Sequence, residues 1–380
     1  KHMGLLLNTL SPAVLYEEMA KSTYFVDKTA FIGQMLQRIE TNGKYVCITR
    51  PRRFGKTVMA NMLGAFLTKS AATRKLFAQL NIGRDAEAMQ HINQYNVIYI
   101  DFSRISSNDY QSYIDNIADA LKNDLHKAYP DVDYRAAGGV AEDLERITAA
   151  TGERFIFIFD EWDAIFHAAF ISEDDRKKYL LFLKDLLKDR VYVQLAYMTG
   201  VLPISKYTSG SELNTFAEYN MATMSLYSDV FGFDDAEVDA LFAKYQALTA
   251  QPQVTREGLK IWYDGYQFGD VDVYCPWDVM NYLWDVQRNP NTAPVSYWKN
   301  TSDNAIIRSF IDYAGGSITK KLETLLSSGA IVQRIDENLT YDYLHASEEN
   351  LWSVLYLTGY LTRVRKTEEN VPDGMAALKI

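Results

Sequence analysis

Ile48-Thr49-Arg50-Pro51-Arg52-Arg53-Phe54-Gly55-Lys56-Thr57 is the stretch on which the reading of this chain turns. Before it, Lys44–Thr49 is a short apolar, β-branched run that reads as a buried strand. After it, Thr57–Leu67 reads as a helix with Met59, Met62, Leu63 and Phe66 on one face. A strand, a tight loop and a helix in that order can form an anion nest. Successive backbone N–H groups turn inward, and the helix N-terminus adds positive potential. Gly55 would let the backbone approach a phosphate where a Cβ would collide. Lys56 would reach the β- and γ-phosphates, and Thr57 would offer its hydroxyl to magnesium. The nucleotide-binding stretch is then Arg50, Pro51, Arg52, Arg53, Phe54, Gly55, Lys56, Thr57 and Val58. The usual phosphate loop begins with a glycine five residues before Gly55, and here that position is Arg50. Pro51 fixes φ, and arginine forks suit phosphate oxygens, so the loop arginines are expected to act as phosphate clamps, with at least one of Arg50, Arg52 and Arg53 pointing into the nucleotide site. The bland alternative is that Gly55 caps a turn and Lys56 is merely solvated.

A second stretch supports the first. Phe155–Phe159 (FIFIF) is apolar at every position, as a strand buried on both faces must be, and it runs directly into Asp160-Glu161. Charge at the end of so apolar a segment needs a partner, and a divalent cation is one natural solution. Asp160 would hold magnesium together with Thr57, and Glu161 would polarise an attacking water. The alternative is that Asp160 caps the following turn; Asp163 reads as a local capping or supporting residue. A glutamate directly after this aspartate points to the additional-strand glutamate class of P-loop ATPases. In that class the strand between the loop strand and the aspartate strand carries a polar sensor, here Thr199, which could otherwise simply satisfy the turn at Gly200. No Asn-Lys-x-Asp motif for guanine occurs, so ATP is preferred to GTP.

Strands are expected at Val97–Phe102, Val191–Met198 and Asn220–Leu226, and helices at Ala30–Ile39, Tyr110–His126 and Asp174–Lys188. Their alternation implies an α/β fold with a mostly parallel sheet, whose ligands bind at the carboxyl ends of the strands. Both motifs fall there. Beyond residue 229 helices dominate, at Phe231–Tyr245, Val254–Tyr263, Asp278–Trp284, Asn304–Tyr313 and Leu351–Tyr360. The expected division is a P-loop ATPase domain over 4–228 and a mostly helical lid or coupling domain over 229–380. The aromatic cluster Trp262, Tyr263, Tyr266, Phe268, Tyr274 and Trp277 reads as a small core, with base stacking as the alternative. Tyr24–Thr29 could border the base of a nucleotide, or Asp27 or Thr29 could cap the helix that follows.

A net charge of −10 argues against nonspecific nucleic-acid binding by the whole surface. Two cysteines, Cys47 and Cys275, cannot build a disulfide framework, and the five histidines have no metal-ligand spacing. No apolar run reaches the length of a membrane span, and Lys1–Leu10 is not a basic start followed by an apolar core, so no secretory signal is expected. The cytoplasm is the expected compartment. Lys1-His2-Met3 reads as a cloning scar before a native Met3.

Several further motifs give the chain a family resemblance. Beside the arginine-rich loop and Phe159-Asp-Glu-Trp-Asp163, these are Tyr24-Phe-Val-Asp-Lys-Thr29, Met198-Thr-Gly-Val201, Tyr263-Asp-Gly-Tyr-Gln-Phe-Gly269, Pro276-Trp277, Tyr297-Trp-Lys-Asn-Thr301 and Leu357-Thr-Gly-Tyr-Leu361. With them the chain resembles the bacterial AAA-ATPase-like proteins often fused to a C-terminal restriction-endonuclease-like nuclease domain. The resemblance spans nearly the whole chain, and that family also carries arginine at the position of Arg50. It implies ATP and magnesium as cofactors, and a downstream nuclease domain or nucleic acid as partner in the full-length protein. It also implies that the chain is a fragment without nuclease activity of its own. The main rival to a magnesium-dependent ATPase is a non-hydrolysing ATP switch, which would have no need of Glu161. A nucleic-acid-binding module is the third reading.

Overall fold

Phe155–Asp160 has no exposed position, and a strand so uniformly apolar can be satisfied only between neighbours in a sheet with helices on both faces. The computed structural model places it so. It describes residues 3–201, 212–220, 227–250, 252–263, 266–268, 271–295, 316–327, 329–335, 348–364, 371–372 and 374–379. These residues fall into two compact units whose segments alternate along the chain rather than meeting at one cut. The first takes its residues from Lys1–Ile48, Thr57–Gly200 and Gly210–Glu218, and the second from Thr49–Lys56, Val201–Ser209 and Tyr219–Ile380.

The central sheet contains β1 (Tyr45–Thr49), β2 (Asn96–Asp101), β3 (Phe155–Asp160), β4 (Val193–Gly200) and β5 (Ala217–Tyr219), in the order β2-β3-β4-β1-β5. β2, β3 and β4 pair in parallel, with Asp101 level with Asp160 and Phe159 level with Met198. β4 lies between β1 and β3, as the sequence reading requires of the additional strand. The fold is α/β of the P-loop type. β5 lies earlier than the expected Asn220–Leu226, and residues 221–226 lie outside those described.

Helices α1 (Ser11–Ala20), α2 (Ala30–Leu36), α3 (Lys56–Leu67), α4 (Arg74–Ala78) and α5 (Ala86–Met89) come from the first third of the chain. α6 (Tyr110–Ala128), α7 (Val140–Thr151) and α8 (Glu173–Leu187) follow. On α3 the four apolar residues picked out by periodicity are buried. α8 opens with a reciprocal capping box, Ser172 accepting from the Asp175 N–H and Asp175 accepting from the Ser172 N–H. α7 has no counterpart among the expected helices. Gly138-Gly139 hides its start, although the left-handed Gly152 at its end (φ 73°) is a recognisable stop signal.

The second unit holds α9 (Asp235–Leu248), α10 (Arg256–Tyr263), an antiparallel pair β6 (Tyr266–Phe268) and β7 (Val271–Val273), and α11 (Pro276–Arg288). Beyond these come α12 (Gly316–Leu326), β8 (Ile331–Arg334), α13 (Glu348–Leu357), β9 (Thr362–Arg363) and β10 (Met375–Lys379). α9 begins later than Phe231 because Asp234 and Glu237 form a capping box there. Phe231 and Phe233, read as the first helical turn, are buried ahead of it, and Phe233 bridges to Tyr274. The unit is not purely helical: β8, β10 and β9 form an antiparallel sheet in that order, with Met375–Lys379 as the central strand. The expected helix Asn304–Tyr313 and the motif Tyr297–Thr301 lie outside the described residues.

Candidate functional site

β3 and β4 end side by side, and their last residues carry the polar chemistry of the first unit. Asp160 is 1% exposed. Its Oδ2 accepts from the Thr57 hydroxyl at 2.7 Å, and its Oδ1 accepts from the Thr199 hydroxyl at 2.5 Å. The Thr199 oxygen also accepts the Glu161 N–H at 3.0 Å. The Thr199 hydroxyl is therefore engaged by the Asp160 carboxylate and the Glu161 backbone at the end of β3. Glu161 itself has φ 50°, a left-handed backbone that turns the chain sharply as it leaves the strand. Trp162 fixes that turn. Its N–H donates to the Thr199 carbonyl at 3.0 Å, its carbonyl accepts from the Tyr179 hydroxyl, and its ring is fully buried beside Tyr179 and Phe166. A Cβ on Gly200 would fall 2.7 Å from the Trp162 indole nitrogen, so only glycine lets the two strand ends approach so closely.

Burial pushes the Asp160 carboxyl from its ordinary 3.8 up to about 7. The Thr199 hydroxyl pulls it back, the charges of Asp101 and Glu161 push it further up, and the Thr57 hydroxyl pulls it down. Asp101 is a neighbour that the sequence reading passes over. Its signal is present nonetheless, because Asn96–Asp101 is a second apolar strand ending on a carboxylate. Asp163 is buried, but its side chain does not cap the turn that follows it.

The loop before α3 belongs to the second unit up to Lys56, and Thr57 is the next residue on the same helix. Two of its residues, Arg53 (φ 71°) and Gly55 (φ 85°), have left-handed backbones. At Gly55 this conformation, rather than crowding, disfavours a side chain, since a Cβ there would meet nothing within 4 Å. Lys56 is buried, and its Nζ donates to the carbonyls of Arg50 at 2.9 Å and Pro51 at 2.7 Å. The ammonium thus curls back on its own loop. Arg50 is fully buried. Its Nη1 donates to the Thr49 and Tyr219 carbonyls, and its guanidinium lies 5.5 Å from the Phe231 ring centroid. Such a fork braces the loop instead of reaching outward. The Arg53 guanidinium lies 4.4 Å from the centre of the Trp277 ring, and Phe54 is buried edge-on against Tyr266. Arg52 and Val58 are half-buried and Thr57 is exposed.

In Tyr24–Thr29, the candidate border for a base, Asp27 accepts from the Thr29 N–H and hydroxyl and from the Asn81 N–H. Thr29 accepts from the Ile82 N–H, so the pair ties two segments of the fold together. In the aromatic cluster Tyr263 and Tyr274 are core residues, whereas Trp262 and Trp277 are substantially exposed. Cys47 is a buried core residue.

The family described as Predicted AAA-ATPase matches residues 15–208, which include the loop, Asp160, Glu161 and Thr199. The chain belongs to this family. A curated relative, an uncharacterized protein encoded in the vnfD 5′ region of Azotobacter chroococcum mcd 1, is 25% identical over 346 residues. That match takes in 89% of this chain but 60% of the relative's length. Among solved structures, the fold is similar to a Walker-type ATPase of Pyrococcus abyssi, with a TM-score of 0.47 and 12% identity over 92% of this chain and 93% of that one. It is also similar to the ORC2 protein of Aeropyrum pernix solved with ADPNP and ADP, at TM-score 0.36 and 10% identity over 93% and 88% of the two chains. Membership in the AAA-ATPase family rests on the sequence match, and the P-loop architecture on the strand order.

Proposed function

We propose that the chain is a magnesium-dependent ATPase. The loop Arg50–Val58 forms the phosphate site, braced from within by Arg50; Thr57 and Asp160 hold the metal, Glu161 acts as base and Thr199 as sensor. The observation that supports this most is the hydrogen-bonded chain Thr57–Asp160–Thr199–Glu161 at the paired ends of β3 and β4. A buried carboxylate whose pKa is driven upward by burial is costly unless a cation comes to it. Among the described residues no cluster of three or more His, Cys, Asp or Glu side chains could enclose a metal. One carboxylate and one hydroxyl suit magnesium, which keeps several waters and takes its remaining ligands from phosphate oxygens. When bound, the metal would neutralise charge on the phosphates.

The chain's own residues supply the rest. Lys56 exchanges the Arg50 and Pro51 carbonyls for phosphate oxygens, a stronger charge-assisted pairing. Glu161 accepts a proton from the attacking water, on a backbone fixed by its left-handed turn and by the Thr199 bond to its N–H. Thr199 bridges Asp160 and Glu161, so it can relay the state of one to the other. Phosphate release by wild type and Glu161→Gln is the test. Turnover is expected to fall by roughly a hundredfold with ATP affinity kept. Wild-type turnover in the variant would remove Glu161 from the mechanism, and no release by the wild type would favour the ATP switch.

In the full-length protein we take the partner to be a nuclease domain or nucleic acid, on the family resemblance. ATP turnover stimulated by added single- or double-stranded DNA would support that; turnover indifferent to both in the full-length protein would count against it. No described helix is long and apolar enough to cross a membrane.

A further inference from the structure

Three of the sequence motifs found no use in the ATPase reading: Tyr263–Gly269, Pro276-Trp277 and Leu357–Leu361. In the second unit each of them sends one residue to the loop 50–54. Trp277, on the first turn of α11, lies under the Arg53 guanidinium at 4.4 Å. The neighbouring Cys275 thiol donates to the Arg53 carbonyl at 3.6 Å. Tyr266 on β6 meets Phe54 edge-on with ring centroids 4.7 Å apart, and its hydroxyl donates to the Gly359 carbonyl at 3.1 Å. Gly359 follows α13 with φ 85°, and a Cβ there would fall 2.6 Å from the Pro51 Cβ. Arg53 meanwhile holds a left-handed backbone that a non-glycine residue adopts only at a cost, and such strain persists only where surroundings over-determine it.

We propose that Trp277, Tyr266 and Gly359 are positioning residues for the phosphate-binding loop, holding the Pro51–Phe54 backbone so that its N–H groups stay aimed at a nucleotide's phosphates. The inference rests on the nucleotide reading above and deepens it. General phosphate loops hold their shape with an early glycine; here that position is Arg50, and the shape is imposed from outside by the C-terminal half of the chain. Because the stack on Trp277 is a single cation–aromatic contact, Arg53 and Trp277 act as one unit.

Calorimetric titration with Mg-ATP tests this, with thermal melts confirming that each variant is folded. Trp277→Leu is expected to weaken binding roughly fivefold, and Trp277→Phe, which keeps a ring face for Arg53, to restore most of it. In an Arg53→Ala background Trp277→Leu should cost nothing further, since the contact is already gone. Gly359→Ala, which must displace Pro51, is expected to cost roughly tenfold or more. Should Trp277→Leu fail to fold, Tyr266→Phe loses only one hydroxyl and should still weaken binding about two- to fivefold. Wild-type affinity in the folded Trp277 and Tyr266 variants, or fully additive effects of Arg53→Ala and Trp277→Leu, would overturn the proposal alone. A wild type that binds no Mg-ATP would instead overturn the nucleotide reading, and this one with it.

Discussion

Lys56 and Asp160 are both buried groups, and each makes hydrogen bonds to neutral partners of a different kind. The ammonium of Lys56 rests on two carbonyls of its own loop. The carboxyl of Asp160 rests on two hydroxyls. Neutral partners offset only part of the cost of burying a charge. Asp160 is therefore held in place yet left under-compensated, and would gain by exchanging a neutral partner for a cation. Without a ligand, Asp160 drifts toward its protonated form, with its pKa raised to about 7. The strand-end charge is thereby gated by proton and cation together.

The largest effect should come from the loop. Lys56→Ala removes the cation that the motif places on the β- and γ-phosphates, and ATP affinity by calorimetry is expected to fall roughly a hundredfold or more. An unchanged affinity in the folded variant would end the comparison, because Lys56 would then be only a loop staple.

Next in size is Asp160→Asn, where stability and ligand response should move in opposite directions. The amide removes a carboxylate that burial penalises, so the ligand-free melting temperature at pH 8 should rise by a few degrees, for roughly 1 kcal/mol. The further rise produced by Mg-ATP in the wild type should largely vanish. If the variant is less stable without ligand and still responds to Mg-ATP, Asp160 is a structural residue.

Thr199→Val keeps the shape of the strand end but deletes the hydroxyl that serves both Asp160 and the Glu161 N–H. We expect a loss of about 1–3 kcal/mol in denaturant melts, because the Glu161 amide and one Asp160 oxygen lose a partner. Turnover should fall more than ATP affinity. Equal losses in both would mean that Thr199 only supports the fold.

Much of this is legible in the residues because the central sheet is extreme in composition. FIFIF admits no exposed face, and the carboxylates after it can only fall at a strand end. Chain order and apolar alternation are enough for the α/β class, and for β4 as the strand carrying Thr199. Other features are written in tertiary terms. The brace of Arg50 on Tyr219 and Phe231 joins residues far apart in the chain, and no local pattern announces it. The same holds for Trp277 under Arg53. Asp234-x-x-Glu237 is a local signal, a capping box that fixes the start of α9. Ile331–Arg334 is not: it buries Ile331 and Gln333 and exposes Val332 and Arg334, an alternation its residue types do not show.

The pH dependence of binding tests the strand-end charge most directly. Asp160 has a folded pKa of about 7 against an ordinary 3.8, so its protonated form favours the ligand-free fold. That stability is fully present below about 3.8 and is lost as pH rises through about 7. Metal binding needs the ionised form and must expel the proton. The decisive measurement is calorimetric titration of the wild type with ATP, in magnesium and in EDTA, at pH 6 and pH 8. The account predicts tighter binding in magnesium at pH 8 than at pH 6, with proton release at the lower pH, and weak binding in EDTA that changes little between the two. Binding equally tight with and without magnesium at both pH values would contradict it.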